Sequence, residues 1–329
     1  MKMNNYIEAF TNHLEDAINI GESAGLKPSK KGFSNILVCG LGGSGIGGSI
    51  VNDIVSQKIN IPIVASKDYT IPNFVNSKTL VIVSSYSGNT EETISALEKC
   101  KKREAEICII TSGGKLKLLA EKNNYNHILI PAGSPPRAMF GYSFVQLFYV
   151  LYHYKIIDFS FKADITSSIL LLNSEKSEIQ KKAFSLAKVL FGKTPVIYVA
   201  QGFEGVAIRF RQQINENSKM LCWHHVVPEM NHNELLGWRT NIQDLSVVYF
   251  RNQSDHKRNQ IRMDINKRIL SKFTKNITEI WSMGDSVIEN TLYHINLGDW
   301  VSWYLSEMNS VDAVEIDVIN YLKSELAKI

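Results

Sequence analysis

An alternation of short apolar runs with helix-length segments between residues 35 and 130 limits the fold of this chain more than any other feature. Asn35–Gly40 (NILVCG) is apolar almost throughout and closes on glycine. Ile61–Ser66, Leu80–Ser84 (LVIVS), Ile107–Thr111 (ICIIT) and Ile128–Ile130 follow it. Runs that are apolar at successive rather than alternate positions suit strands buried on both faces. Helical stretches at Ile46–Ser56, Thr90–Lys102 and Lys115–Lys122 fall between most of them. That order implies right-handed βαβ units and a parallel sheet covered on both sides by helices. The pattern resumes at Pro195–Ala200, with Leu245–Phe250 and Ile277–Trp281 as further strands and Leu297–Asn309 and Ile316–Lys328 as helices.

Residues 4–22 place Tyr6, Ile7, Phe10, Leu14, Ala17 and Ile18 at helical spacing. Phe140–Ile157 is long, aromatic and nearly uncharged, as a buried helix would be, and residues 163–192 read as helix with one polar face. The expectation is therefore two doubly wound parallel-sheet α/β domains, residues 1–155 and 156–329, joined near 150–165. The length of 329 residues suits two domains, and 44% hydrophobic with 21% charged residues excludes disordered, collagen-like and low-complexity chains.

The net charge of +4 is small and scattered. Its densest run, Lys99–Arg103, reads as a solvated face, because binding nucleic acid by counterion release needs many clustered cations. No nucleic-acid partner is expected. Cys39, Cys100, Cys108 and Cys222 form no CxxC pair, and Cys39 and Cys108 lie in strand-like runs where buried free thiols are common. That usage fits a reducing compartment. The opening MKMNNYIEAF lacks an apolar signal core, and no stretch has the length of a membrane span. A soluble cytoplasmic protein is expected.

Two loops between strand and helix are suited to hold an anion. Gly40–Gly48 (GLGGSGIGG) permits close backbone approach and leads to a helix N-terminus with free N–H groups. It contains GxGxxG at Gly40, Gly42 and Gly45, yet the acidic residue a ribose would need arrives late, as Asp68 beside Lys67. That argues against a dinucleotide. The second loop, Ser84–Thr90 (SSYSGNT), gathers Ser85, Ser87, Gly88 and Thr90 where a helix begins. N-capping requires one hydroxyl; four within seven residues point to a phosphate monoester. Together GLGGSG and SYSGNT resemble the sugar isomerase (SIS) family of phosphosugar-binding domains. The resemblance implies a flavodoxin-like sheet whose switch point holds the phosphate through Gly43, Ser44, Ser85, Ser87 and Thr90. SIS domains serve isomerases, transferases and regulators, so the reaction stays open.

Three polar clusters remain. Ser134–Ser143 (SPPRAMFGYS) fixes Arg137 behind two prolines, either to stabilise a developing oxyanion or simply to pair with a carboxylate. Arg209–Lys219 (RFRQQINENSK) sets Glu216 between two asparagines at a helix end, as a structural group or as a base oriented by its neighbours. Trp223–Glu234 (WHHVVPEMNHNE) holds three histidines without zinc-helix spacing. Asn231-His232-Asn233 suits an imidazole held in one tautomer, while His224 and His225 read as packing or capping residues.

With QINENSKM, PEMNHNELLGW and a closing helix carrying Leu322-Lys323, these clusters resemble the bifunctional phosphoglucose/phosphomannose isomerase family. The resemblance implies interconversion of glucose 6-phosphate and fructose 6-phosphate through a cis-enediol(ate), with mannose 6-phosphate as a second substrate. Glu216 would be the base and Arg137 would stabilise the enediolate. His232 would aid ring opening from a neighbouring subunit of a homodimer, and Lys323 would assist it. No metal or other cofactor is implied. Family members carry a DPTPV-like segment with a threonine linked to the mannose epimer. Val311–Ile316 (VDAVEI) lacks both proline and threonine, which bears on the mannose activity more than on the glucose activity. The competing readings are a silent sugar-phosphate sensor and a nicotinamide oxidoreductase.

Overall fold

The computed structural model describes residues 2–29, 31–240 and 244–328. Helices α1 (Met3–Glu8) and α2 (Phe10–Glu22) precede β1 (Asn35–Cys39), α3 (Gly42–Val55), β2 (Ile63–Ser66), β3 (Thr79–Ser85), α4 (Glu91–Lys102), β4 (Glu106–Thr111), α5 (Gly114–Asn123) and β5 (Asn126–Leu129). A 3-10 turn at Pro136–Met139 leads into α6 (Phe140–His153). These strands form one parallel sheet in the order β2-β1-β3-β4-β5, the flavodoxin-like arrangement with its switch point between β1 and β3.

The second half contains α7 (Ser160–Ser174), α8 (Lys176–Leu190), β6 (Thr194–Ala200), α9 (Glu204–Ser218), β7 (Trp223–Val227), the short α10 (Glu234–Gly237), β8 (Leu245–Arg251), α11 (Lys257–Leu270), β9 (Ile277–Trp281), α12 (Val287–Met308) and α13 (Asp317–Leu326). Its parallel sheet runs β7-β6-β8-β9, repeating the first four positions of the first sheet. Two doubly wound α/β domains are thus present, as the strand–helix alternation implies.

Several boundaries differ from expectation. The strand β7 and helix α11 carry too little apolar periodicity to read: β7 is WHHVV, and α11 buries only Met263, Asn266 and Leu270. The span 163–192 breaks at Glu175 into two helices, and α12 begins ten positions earlier than Leu297 because its buried face includes Asn290, His294 and Asn296. Helix α3 starts at Gly42 rather than Ile46, so the glycines lie inside its first turns. Packing overrides propensity there: a Cβ on Gly45 would lie 2.2 Å from the Gly40 carbonyl oxygen.

Alternate strand residues divide between two faces. Ile36, Val38, Leu80 and Ile82 join α2, α3 and α6 in a core that continues through α7, α8, α9 and α12 onto Ile197 and Val248 of the second sheet. Leu37, Val81 and Ile109 pack under α4 and α5, while Val196, Tyr198 and Val247 pack with Met230, Trp238 and Met263. The two domains therefore share one apolar interior, with α3 crossing α9 at its centre. At that crossing a Cβ on Gly205 would meet the Ile50 backbone at 3.0 Å.

Helix α9 has no side-chain cap of its own. The Gly205 N–H donates instead to Asp53 Oδ2 of α3 at 2.8 Å, a cap supplied across the domain junction. Burial pushes Asp53 up from 3.8 to about 6, Gly205 N–H opposes that, and Glu204 adds to it. Since the folded state holds the proton more tightly than the unfolded chain, the contribution to stability is complete below pH 3.8 and is lost as pH rises through about 6. The loss is on the order of 2–3 kcal/mol. Thermal melts from pH 4 to 7 should show the parent falling relative to Asp53→Asn, and parallel curves would contradict this.

Candidate active site

Two helix N-termini converge at the switch point, where α3 follows β1 and α4 follows β3. Neither is capped by a side chain at its N-cap position, so their positive ends face the crevice between. Thr90 occupies the N-cap of α4 but spends its hydroxyl on Ser85 Oγ, 2.8 Å away. The capping account of this serine- and threonine-rich loop is therefore not the one the structure adopts. Ser44 is buried, and its Oγ accepts the Tyr86 N–H at 3.0 Å, tying the first loop to the second. Ser87 stands exposed, accepting the Asn89 N–H at 3.2 Å.

The loop after β4 braces this arrangement. Ser112 N and Oγ donate to the Tyr86 carbonyl at 3.0 and 2.6 Å, and the Leu116 N–H donates to the Gly88 carbonyl at 3.0 Å. Gly88 has φ +67°, and a Cβ there would fall 1.9 Å from the Gly113 carbonyl oxygen, so only glycine fits.

Arg137 comes next to these loops from the 3-10 turn. A Cβ on Gly43 would sit 3.0 Å from Arg137 Cα, which shows how closely the glycine loop abuts that backbone. Arg137 is 3% exposed, and its guanidinium reaches into the second domain. Nε donates to Asn217 Oδ1 at 2.7 Å, Nη1 lies 3.4 Å from Glu216 Oε2, and Nη2 donates to the carbonyls of Ala313 and Val314. Burial lowers the Arg137 pKa, while Glu216, Asp312 and Glu315 pull it back.

A crevice of about 600 Å³ joins these groups: Gly43, Ser44, Ser87 and Thr90 on one side, Arg137 and Glu216 on the other, and Lys323 of α13 along the rim. The structure thus brings together eight of the nine residues assigned from the sequence, counting Ser85 through its bond to Thr90. The ninth, His232, is not among the described residues that line the crevice; it stands exposed on a 3-10 turn beyond β7. The asparagines flanking it do not hold its imidazole. Asn231 donates to Asn266 Oδ1 at 2.7 Å and Asn233 caps α10, so they anchor the loop instead.

The asparagines around Glu216 also act elsewhere than expected. Asn215 donates to the Met220 carbonyl at 2.7 Å, and Asn217 serves Arg137 and Ser302, so neither orients the Glu216 carboxylate. The carbonyls of Ala313 and Val314 were beyond sequence reasoning, because a backbone acceptor has no side-chain signature. Among the described residues no group of three or more His, Cys, Asp or Glu is placed to hold a metal ion; His224 faces Glu204 at 3.6 Å.

Comparison with known proteins identifies the family. The SIS domain family matches residues 34–152, and the family described as bacterial phospho-glucose isomerase C-terminal SIS domain matches residues 179–326. The bifunctional phosphoglucose/phosphomannose isomerase of Caldicellulosiruptor bescii is 38% identical over 327 residues, covering 96% of each chain. The chain belongs to the bifunctional phosphoglucose/phosphomannose isomerase family. A member from Aquifex aeolicus is 34% identical over 90% of this chain and 91% of its own.

Solved structures of low identity share the fold. The C-terminal domain of glucosamine-fructose-6-phosphate aminotransferase from Francisella tularensis superposes with a TM-score of 0.76 at 12% identity, covering 95% of this chain and 98% of that one. Tagatose-6-phosphate ketose/aldose isomerase from Escherichia coli gives 0.67 at 15%, covering 95% and 93%.

Asn217 is fully buried and bonded at both ends of its amide. In Asn217→Ala, Arg137 Nε loses its acceptor, a loss of about 1–3 kcal/mol. Urea unfolding should show it as a lower midpoint; an unchanged midpoint would show that water replaces the amide at no cost.

Proposed function

We propose that this protein interconverts glucose 6-phosphate and fructose 6-phosphate by moving a proton between C1 and C2 through a cis-enediolate. The observation that carries the reading is the placement of Glu216 beside the buried Arg137 in the crevice that the two hydroxyl-lined loops also enter. Membership of the isomerase family supports it.

In this scheme the 6-phosphate rests on the Gly43 and Ser44 backbone and on the hydroxyls of Ser44, Ser85, Ser87 and Thr90. Two helix N-termini supply the complementary potential without a basic patch. Held at that end, the open-chain sugar extends toward Glu216, and the pre-oriented encounter removes much of the entropic cost of reaction. The Glu216 carboxylate takes the C2 proton of the aldose, and the C2–H electron pair becomes the enediol double bond. The carbonyl oxygen at C1 collects negative charge, which the Arg137 guanidinium stabilises where water is excluded. A proton passes from the C2 hydroxyl to the C1 oxygen, and return of the carbon-bound proton to C1 then forms the carbonyl at C2 and yields the ketose. Neither net oxidation nor a covalent intermediate is involved. Lys323 at the rim and His232 act in ring opening; His232 reaches the crevice of a second copy, so the working form is a homodimer.

A non-catalytic sugar-phosphate binder would not require a carboxylate and a guanidinium facing each other over the bound sugar. Both readings predict that hexose 6-phosphates raise the melting temperature, but only the isomerase exchanges the C2 proton with solvent deuterium. Purified protein should form product from glucose 6-phosphate with and without EDTA. The same assay with mannose 6-phosphate reads whether the Val311–Ile316 segment supports the second epimer. Glu216→Gln should lower kcat about 100- to 10,000-fold while the phosphate loops keep KM within a few-fold. Full activity of that variant would remove Glu216 from the mechanism.

A further inference from the structure

Arg137 is gripped at its backbone as well as at its side chain, and the second grip comes from a buried ion pair with no place in the reaction described above. Arg209 of α9 and Asp299 of α12 are 3% and 5% exposed. One nitrogen, Arg209 Nη2, donates both to Asp299 Oδ2 at 2.6 Å and to the Arg137 carbonyl at 3.3 Å. The same guanidinium lies 4.3 Å from the ring centroid of Phe140, the first residue of α6. Gln213 Nε2 holds the other Asp299 oxygen at 2.8 Å. Ser302 Oγ donates to the Asp299 carbonyl at 2.7 Å and accepts from Asn217 Nδ2 at 2.9 Å, and Asn217 Oδ1 accepts Arg137 Nε at 2.7 Å.

The contacts close a ring. It leaves Arg137 through its carbonyl, passes Arg209, Asp299, Ser302 and Asn217, and returns through its guanidinium. On the opposite side the Arg137 backbone abuts Gly43 of the phosphate loop. Arg137 is thus the joint between the loop that would hold the phosphate and the helix that carries Glu216.

We propose that Arg209, fixed by Asp299, is a positioning residue that sets the placement of the Arg137 guanidinium relative to Glu216. This rests on the roles given to Arg137 and Glu216 above. A pair that only stabilised the fold would need neither the bond to the Arg137 carbonyl nor the stacking on Phe140. A lysine at 209 keeps the charge opposite Asp299, but it has no planar guanidinium to lie over the Phe140 ring while one of its nitrogens reaches both Asp299 and the Arg137 carbonyl.

The test uses the full chain, with hexose 6-phosphate turnover and melting temperature measured side by side. Arg209→Lys should keep a melting temperature within a few degrees of the parent while kcat falls roughly ten- to a hundredfold, the range expected for a guanidinium displaced by about 1 Å. KM should stay within about twofold, because the phosphate loops are untouched. The paired variant Arg209→Met/Asp299→Leu removes both charges at similar volume, a replacement that commonly restores or raises stability. It should recover the parent's melting temperature and still show the reduced kcat.

Recovery of both stability and kcat in the paired variant would overturn the proposal, since the pair would then matter only to the fold. If the paired variant does not fold, Arg209→Lys decides alone: kcat within twofold of the parent overturns it. A parent that fails to isomerise hexose 6-phosphates would refute the proposed function itself, which separates the two failures.

Discussion

The architecture turns on one guanidinium that belongs to the first domain by sequence and to the second by its contacts. A buried arginine keeps its charge only where acceptors surround it, and Arg137 finds all of them on the far side of the domain junction: Asn217, Glu216 and the carbonyls of Ala313 and Val314. Separating the domains would remove all of these acceptors from it at once. The shared core therefore has an electrostatic lock at its open end, while Asp53 on the α9 N-terminus provides a second tie at the other end of that helix. Helix α9 is fastened at both ends to the first domain, and its C-terminal turn is where Glu216 stands.

That arrangement explains why two similar sheets yield one crevice. In the first sheet the helix after the first central strand begins at glycines and presents free N–H groups to the switch point. In the second, the equivalent helix α9 begins at Glu204 and has its Gly205 N–H occupied by Asp53, so its positive end is already neutralised. The second domain contributes the opposite end of α9 instead. A chain with a net charge of only +4 can hold an anion in this way, because the attraction comes from oriented peptide dipoles and hydroxyls at close range rather than from a cationic surface.

The legibility of the sequence follows the physical origin of each feature. Strands such as Asn35–Cys39 and Thr194–Ala200 are buried on both faces and announce themselves as apolar runs. The edge strand β7 has three half-exposed positions out of five and gives no such signal. Helix α11 fails for the related reason that Ile261 and Ile265 are over a third exposed while Asn266 is buried, which blurs any amphipathic period. The loop residues Ser87 and Thr90, and Arg137 and Glu216 in the other clusters, could be singled out because uncommon polar groups stood together where apolar patterning stopped, whereas Ser44 and Lys323 were named only through the family resemblance. The partners that fix them could not. Asn217 looked like an orienting neighbour of Glu216 and serves Arg137 instead, and Asp299 lies 90 positions from its partner Arg209 inside a helix read only from Leu297 onward. Pairings across the domain junction depend on tertiary geometry that no local pattern encodes.

The segment Val311–Ile316 serves Arg137 through its backbone rather than its side chains. It meets Arg137 through the carbonyl oxygens of Ala313 and Val314, which any residue supplies. The constraint here lies on the path of the backbone. The path is itself secured: the Val314 N–H donates to Asp312 Oδ1 at 2.7 Å, and Lys219 Nζ bridges the carbonyls of Glu216 and Glu315 at 2.6 Å each. A substitution in this segment that preserves that path leaves the environment of Arg137 intact whatever side chain it introduces. The same substitution can still alter the surface offered to the crevice, which Ile316 helps to line.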